Sequence, residues 1–465
     1  MECKTLALAV TVAIAALASA NTVSADINLI AIGSINGHYE DLAFDSAAAL
    51  ENGVRGNPLG GLGSGLASAG GNTFLALPDR GPNAQPYDSS IDDTTSYIPR
   101  VQSLSLSLVP SPTGAALPYL VSAHLTDTTL LSSLSPLHYG AQVPALNARD
   151  HRFYFSGRSD NFAADKSSTN SRNGRLDPEG IRPARDGESF FITDEYGPYV
   201  YQFDRRSGVR LRAFALPDKF AVSQLSSKGD DEIASNSSGR IANKGMEGLA
   251  ITPDGKTLLG IMQSPLAQDG GTGAPYTRLV SIDIRSGRVR EYAYELSNIG
   301  TASKPKYPTV SEIVAINDHE FLVDERDGKG LGDNSSAAYK RLYRINLTGA
   351  TDVSQLSGAA NLAGKAVAKT PFLDLVAALN AAGISSSDIP AKIEGLAFGP
   401  DLERNGMVYH TLFIANDNDF LGTVTDSLHP LGTDNSNQFF VFAVDEASLP
   451  GYVPQQFIER GHLHD

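Results

Sequence analysis

Lys244-Gly245-Met246-Glu247-Gly248-Leu249-Ala250-Ile251-Thr252-Pro253-Asp254-Gly255-Lys256-Thr257-Leu258-Leu259-Gly260-Ile261 decides the fold, because it recurs. Glu394-Gly395-Leu396-Ala397-Phe398-Gly399-Pro400-Asp401 restates its first half, and Glu179-Gly180-Ile181-Arg182-Pro183 with Asp186-Gly187 restates it again. Each copy leads into a short apolar run. A chain that repeats one supersecondary unit is read first as a repeat fold.

Working outward from Glu179, an Asp-Gly turn leads to a second strand at Ser189–Thr193, then a third at Tyr199–Asp204 and a fourth from Val209 to Leu216. The Glu247 copy follows the same plan, with strands at Thr257–Met262, Arg278–Asp283 and Val289–Leu296. Asp204-Arg205-Arg206-Ser207-Gly208 and Asp283-Ile284-Arg285-Ser286-Gly287 turn at the same place in both units. Further copies open at Ser311-Glu312-Ile313-Val314 and at Glu394, and a glycine-rich variant, Leu59–Leu66, stands where an acid is expected. Starts at 179, 247, 312 and 394 are 68, 65 and 82 residues apart, and the start near 62 lies 117 earlier, which leaves room for one more unit. Four antiparallel strands per unit, repeated radially, predict an all-β β-propeller with five recognisable blades and space for a sixth. Residues 126–176 read as a degenerate blade or an insertion, Pro371–Ala382 as an inserted helix, and the strand near Ile27 as the piece that completes the last blade.

Composition narrows the chemistry. Of 465 residues, 41% are hydrophobic and 19% charged, enough apolar material for a large core. Lys4, the apolar run Leu6–Leu17 and the small residues before Ala20 or Ala25 read as a secretory signal over 1–25, leaving 26–465 as a single secreted or periplasmic domain. The one cysteine, Cys3, falls inside that signal, so thiol nucleophiles, Cys-ligated zinc and disulfides are excluded from the exported chain. A net charge of -15 disfavours nucleic acid as a partner and favours cations. No later stretch is apolar enough for a transmembrane span, and a monomer is expected. No Gly-x-Ser-x-Gly elbow occurs, and the nine histidines show no paired metal-binding spacing.

The first strand of each propeller blade lines the central channel, so Glu179, Glu247, Glu312 and Glu394 are expected to form an acidic ring at one mouth. Carboxylates held close together raise one another's pKa unless a cation compensates, and hard oxygen donors suit Ca²⁺ first and Mg²⁺ second. The ends of the second strands add Asp79-Arg80, Asp194-Glu195, Asp324-Glu325-Arg326-Asp327 and Asn416-Asp417-Asn418-Asp419. Arg80, Arg182 and Arg326 stand beside these acids and are positioned to grip a phosphate. The bland alternatives are that each glutamate accepts its neighbours' backbone N–H groups and that each arginine pairs with the adjacent carboxylate.

Taken together, Asp177-Pro178-Glu179-Gly180-Ile181, Ile192-Thr193-Asp194-Glu195-Tyr196-Gly197-Pro198, Met246–Ala250, Val323–Arg326 and Ile393–Ala397 resemble the phytase-like, "esterase-like activity of phytase" family of exported bacterial proteins, from about Ile27 to Val444. The resemblance implies phosphoester hydrolysis served by repeated Glu and Asp residues, similar in outline to calcium-dependent propeller phytases. This chain departs from the pattern at Gly61 or Gly65 and at Gln263. The expected site has Glu179, Asp194, Glu247, Glu312, Asp324, Glu394 and Asp417 as metal ligands, with Glu179, Glu247, Arg80 and Arg326 acting on a small phosphoester. The rival expectations are a non-catalytic binding propeller and a lactonase-type calcium propeller.

Overall fold

The computed structural model describes residues 27–148 and 151–458, so the signal reading over 1–25, with Cys3, and the tail histidines His462 and His464 lie outside the described residues. Within them, five four-stranded antiparallel blades surround a channel. The first blade is Gly65–Ser68, Thr73–Leu77, Arg100–Pro110 and Tyr119–Leu130. Pro178–Pro183, Ser189–Asp194, Tyr199–Asp204 and Arg210–Ala215 form the second. The third is Met246–Ile251, Thr257–Met262, Tyr276–Asp283 and Val289–Glu295. The fourth is Thr309–Ala315, Glu320–Arg326, Lys340–Asn346 and Ala368–Asp374.

The fifth blade joins the two ends of the chain. Lys392–Phe398, Met407–Asp417 and Asn437–Asp445 are followed outward by the N-terminal strand Ile27–Ile35, which pairs antiparallel with Asn437–Asp445 from Ile27 opposite Val444 to Ile35 opposite Asn437. Ala31 and Ile32 also bridge in parallel to Tyr119 and Leu120 of the first blade, which ties the closure on both sides. The space allotted to a sixth unit holds no four-stranded sheet among the described residues. It contains the long hairpin of the first blade and an irregular stretch whose pairing is limited to Ser132–Ser133 with Phe153–Tyr154 and isolated bridges at Ser132–Val209, His138–Asn173 and Ser156–Arg175. Pro371–Ala382 also divides differently from expectation. Its first part is the outer strand of the fourth blade, an edge position that tolerates Pro371, and the helix runs only Leu375–Ala381, with the Asp374 carboxylate accepting from Ala377 N at 3.0 Å.

Glycine after the repeated glutamate has a packing cause. A Cβ on Gly180 would lie 2.6 Å from Leu249 N of the third blade, and one on Gly248 would lie 2.8 Å from Glu312 Cα of the fourth. The inner strands therefore abut backbone to backbone, and the Glu-Gly pair marks the close approach of neighbouring blades. In the second, third and fifth blades the inner strand bulges at this point, between Pro178 and Ile181, Met246 and Gly248, and Ile393 and Gly395. A bulge re-aims the extra residue. Here it carries Glu179, Glu247 and Glu394 to the mouth.

Between the blades lie apolar layers such as Phe190, Ile192, Tyr201 and Phe203 against Phe155, and Leu249, Leu258, Val280 and Ile282 against Phe191 and Phe214. The channel is plugged at mid-depth by Arg182. Its Nη1 donates to Leu66 O and Ile181 O, and its Nη2 to Ile313 O and Leu396 O, so one guanidinium bonds the inner strands of four blades. Below it, the C-terminal segment crosses the opposite opening. Val453 N, Gln456 N and Ile458 N donate to Ile316 O, Pro253 O and Arg185 O of three successive blades.

Candidate active site at the channel mouth

The mouth above Arg182 is a cavity of about 300 Å³ lined by Asp79, Arg80, Glu179, Glu195, Lys244, Glu247, Gln263, Arg326, Lys392, Glu394 and Asp417, with Asn83, Asn243, Thr309 and Gly328 at its edge. Six carboxylates and four cations face one small volume. Three of the cations are committed to acids. Arg80 Nη1 lies 2.5 Å from the Asp177 carboxylate just below, Arg326 Nη2 pairs with Glu394, and Lys392 Nζ pairs with Asp417 at 2.8 Å and with Asp419. Lys244 donates to Gln263 Oε1 at 3.0 Å.

More acids than cations gather between the second and third blades, where Asp177 alone is paired, with Arg80. Asp177, Glu179 and Glu195 each bring a carboxylate oxygen within 4.8 Å of the others, and all three are buried. Glu247 stands beside them with its Oε2 buried and without a hydrogen-bond partner. Burial, followed by the charges of Glu247, Asp177 and Glu195, holds the Glu179 carboxyl well above the usual carboxylate range. Glu247 is raised in the same way by burial and then by Glu195 and Glu394, with Arg326 opposing. Glu195 is raised by burial and Asp177, and Asp79 is raised well by burial and Asp417. Asp417 is pushed up to about 6 by burial, against the pull of Lys392. Lys392 and Arg326 move the other way from what burial demands, because Asp417 and Asp419 hold the first charged and Glu394 the second. A set of buried hard-oxygen donors, among which Glu179, Glu195 and Glu247 are raised by burial and by neighbouring carboxylates and Glu247 keeps an orphan oxygen, fits a divalent cation.

Of the expected ligands, Glu179, Glu247, Glu394 and Asp417 meet in the cavity, as do Arg80 and Arg326. Asp194, Glu312, Asp324 and Arg182 do not line it. Asp194 turns back on its own blade, where its Oδ1 accepts from Asp177 N and Tyr196 N, and the next residue, Glu195, faces the mouth. In the fourth blade the bulge falls between Val310 and Glu312, so Ser311 takes the place that Glu247 has in the third. Glu312 then stands in the glycine position, deep in the channel. Its Oε1 accepts from Leu249 N and Ile313 N, its Oε2 lies 3.2 Å from Arg182 Nη2, and burial pushes it up to about 7. Aligning on the apolar residue, Ile313 with Leu249 in place of Glu312 with Glu247, would have shown this. Asp324 shares a strand face with Arg326 by the two-residue period but sits beneath it, fully buried, with both oxygens unpartnered. Two residues that sequence reasoning passed over, Asp177 and Lys392, are pair-formers at the mouth; each lies two residues before one of the repeated glutamates.

A curated relative, an uncharacterized secreted protein of Arthroderma benhamiae, is 33% identical over 330 residues, covering 58% of this chain and 60% of the relative, so the chain spans less than two thirds of that protein's length. Among solved structures, the periplasmic gluconolactonase of Pseudomonas aeruginosa aligns at 12% identity over 76% of this chain and 81% of that one, with a TM-score of 0.30. The calcium-binding protein regucalcin of Agrobacterium tumefaciens aligns at 8% identity over 93% and 99%, with a TM-score of 0.31. Likeness at these scores carries no weight for function. No helix among the described residues is long and apolar enough to cross a membrane. Residues 57–420, by contrast, match a single family across most of the sequence, and the chain belongs to that family, the phytase-like proteins described by the esterase-like activity of phytase.

Proposed function

We propose that the protein is an exported hydrolase of small phosphoesters that works at the channel mouth with a divalent cation, Ca²⁺ before Mg²⁺. The observation that carries this reading is the juxtaposition, at one cavity, of an under-neutralised carboxylate group, with Glu179, Glu195 and Glu247 on its wall and Asp177 just below, with the cations Arg80, Lys244, Arg326 and Lys392. An all-acidic mouth would repel a phosphoester and an all-basic one would not hold a metal. This one has a side for each.

Glu179, Glu195 and Glu247 would hold the ion, and Asp177 would join them as Arg80 turns to substrate. A cation so held polarises a phosphoryl oxygen and lowers the pKa of bound water. Arg80 and Arg326 would orient the phosphoryl group and neutralise charge that develops on it. Both are kept in place by carboxylates and, for Arg326, by Ser311 Oγ, which accepts from its Nε at 2.7 Å. Glu247, with a buried unpartnered oxygen and a carboxyl held well above the usual range by burial and by Glu195, is suited to take or give a proton at the leaving oxygen. Asp194, Glu312 and Asp324 are assigned no part in holding the ion.

The test is turnover of phosphomonoesters, phosphodiesters and lactones by purified protein, with metal analysis, with and without chelator, and with Ca²⁺ or Mg²⁺ restored. Phosphoester turnover that chelation abolishes and Ca²⁺ restores is the expected result. Turnover of lactones alone, or no turnover and no bound metal, would overturn the reading.

A further inference from the structure

Residues 418–436 join the second and third strands of the fifth blade on the side of the mouth. The base of this loop is closed by Asn418 Nδ2 donating to Asn435 O at 2.9 Å and Asn435 Nδ2 donating to Asn418 O at 3.1 Å. Its tip carries Leu428 and Leu431 into solvent, 45% and 99% exposed. The tip is nevertheless fastened to two other segments. Ser427 N and Oγ both donate to Asn334 Oδ1, in the loop that follows Arg326 of the fourth blade. His429 Nε2 lies 2.9 Å from Asp388 Oδ1, four residues before Lys392, and its Nδ1 lies 3.0 Å from Asp426 Oδ1 of its own loop. Asp426 Oδ1 also accepts from Leu428 N and His429 N, and its Oδ2 is buried without a hydrogen-bond partner. Three segments continuous with the mouth residues Asp417, Lys392 and Arg326 thus meet over Asp426–His429.

A neutral imidazole has one N–H and one lone pair, so between two carboxylates it donates to one and turns its lone pair on the other. Only the imidazolium donates from both nitrogens. The geometry points to His429 as a pH-operated clasp on the rim of the mouth: protonated, it bridges Asp388 to Asp426 and fastens the loop tip, and deprotonated, it lets one carboxylate go and frees the tip. The surrounding charges favour the proton. The His429 imidazole is raised by Asp388 and, against burial, by Asp426. Asp388 is lowered by the Ser385 hydroxyl and then by His429, and Asp426 is lowered, against burial, by the His429 N–H and ring. A raised histidine contributes its fastening in full below the ordinary value near 6.5 and loses it as pH rises through the raised one. The other titratable groups around the loop have partners of their own: Asp419 pairs with Lys392, Asp434 accepts from Ser436 Oγ, Asp333 accepts from Ser335 Oγ, and His38 Nε2 hydrogen-bonds Thr423 Oγ1.

Two measurements on the full chain test the clasp, and neither depends on turnover or on a bound cation. In proton–carbon spectra of protein labelled at histidine Cε1, the His429 signal, identified by its absence from His429→Gln, is expected to titrate above the ordinary histidine value. Chymotryptic cleavage at the exposed Leu428 and Leu431, normalised to a peptide of the same sequence, is expected to quicken roughly tenfold or more in wild type between about pH 5.5 and about pH 8.5. In His429→Gln it should be fast throughout. Asp388→Asn, a change at an exposed carboxylate that leaves the core untouched, should lower the titration of His429 and quicken cleavage at the acid end. The clasp is overturned by a His429 that titrates at or below the ordinary value, by wild-type cleavage that does not change with pH, by the same pH dependence in His429→Gln, or by an Asp388→Asn protein indistinguishable from wild type.

Discussion

Arg182 of the second blade and Glu312 of the fourth meet inside the channel, Nη2 to Oε2 at 3.2 Å, with both side chains almost wholly buried. The pair explains why an arginine that reads as a phosphate clamp is structural. Its donors are already shared among Leu66 O, Ile181 O, Ile313 O and Leu396 O. Removing one member of a buried pair strands the other charge, at a typical cost of about 3–5 kcal/mol. Arg182→Met is therefore expected to destabilise the fold by that order in urea unfolding. Arg182→Met with Glu312→Gln should recover part of the loss, because no buried carboxylate is then left without its partner. A single variant as stable as wild type would show that the four inner strands bonded by Arg182 do not depend on the plug.

Asp324 supplies a pH signature. It is fully buried without a hydrogen-bond partner, and burial pushes its carboxyl up to about 8, against the pull of Arg326 and Lys340. A group whose folded pKa is raised contributes stability that is complete below its unfolded value near 4 and is lost as pH rises toward the folded value. Between pH 4 and 8, wild-type stability should accordingly fall relative to Asp324→Asn, on the order of 1 kcal/mol for each pH unit over which this group alone is protonated in the folded chain and ionised in the unfolded one. Parallel stability curves for the two proteins over that range would refute the assignment.

The blades were legible in the sequence because strand, Asp-Gly turn and Asp-x-x-Ser-Gly turn repeat locally, and local turn chemistry does not depend on distant partners. Closure by Ile27–Ile35 was legible for the same reason, an alternating strand with no blade of its own. The Glu-Gly heads were visible, but their aim was not: a one-residue offset of the bulge sends Glu312 down the channel and leaves Ser311 at the mouth. Asp194 and Glu195 differ similarly, since adjacent residues at a strand end face opposite ways. Lys392 was invisible as a site residue because its partners Asp417 and Asp419 lie 25 and 27 residues away.

A cation bound at the mouth as proposed would displace protons. Glu179 and Glu247 are each held above the usual range by burial and by one another's neighbours, so the cation competes with protons for the same oxygens. Apparent Ca²⁺ affinity is expected to weaken as pH is lowered, and calorimetry in two buffers of different ionisation enthalpy should reveal proton release on binding. Glu179→Gln and Glu247→Gln should each weaken Ca²⁺ binding and lower kcat/KM by roughly 100-fold or more. Ca²⁺ affinity that does not change with pH or with either substitution would place the ion elsewhere.

Arg326 separates a positioning role from a charge role. It is held by Ser311 Oγ and Glu394, and it faces the cavity next to Glu247. Arg326→Lys retains a cation but loses the planar fork, and is expected to lower kcat by roughly tenfold to a hundredfold while leaving Ca²⁺ affinity within about twofold. Arg326→Met should lose more, and its Ca²⁺ affinity should rise, because Glu394 is then released to the cation. If Arg326→Lys and wild type turned over phosphoesters equally, the guanidinium would have no part in orienting the phosphoryl group.

Adjacent acids at the end of one strand give the sharpest test of where the ion sits. Glu195 has its Oε1 on Gly245 N at 2.7 Å and shares a 4.8 Å cluster with Asp177 and Glu179, whereas Asp194 spends its Oδ1 on Asp177 N and Tyr196 N. Burial pushes Asp194 up to about 7, so a neutral amide there alters little charge at low pH and removes a buried titrating group at high pH. Glu195→Gln is expected to weaken Ca²⁺ binding by on the order of 10- to 100-fold with stability nearly unchanged. Asp194→Asn should leave Ca²⁺ affinity within about twofold and shift stability instead, with the shift growing from about pH 4 to pH 7 and levelling off above that. The opposite pattern, with affinity lost in Asp194→Asn and kept in Glu195→Gln, would move the ion off the mouth and onto the blade's edge.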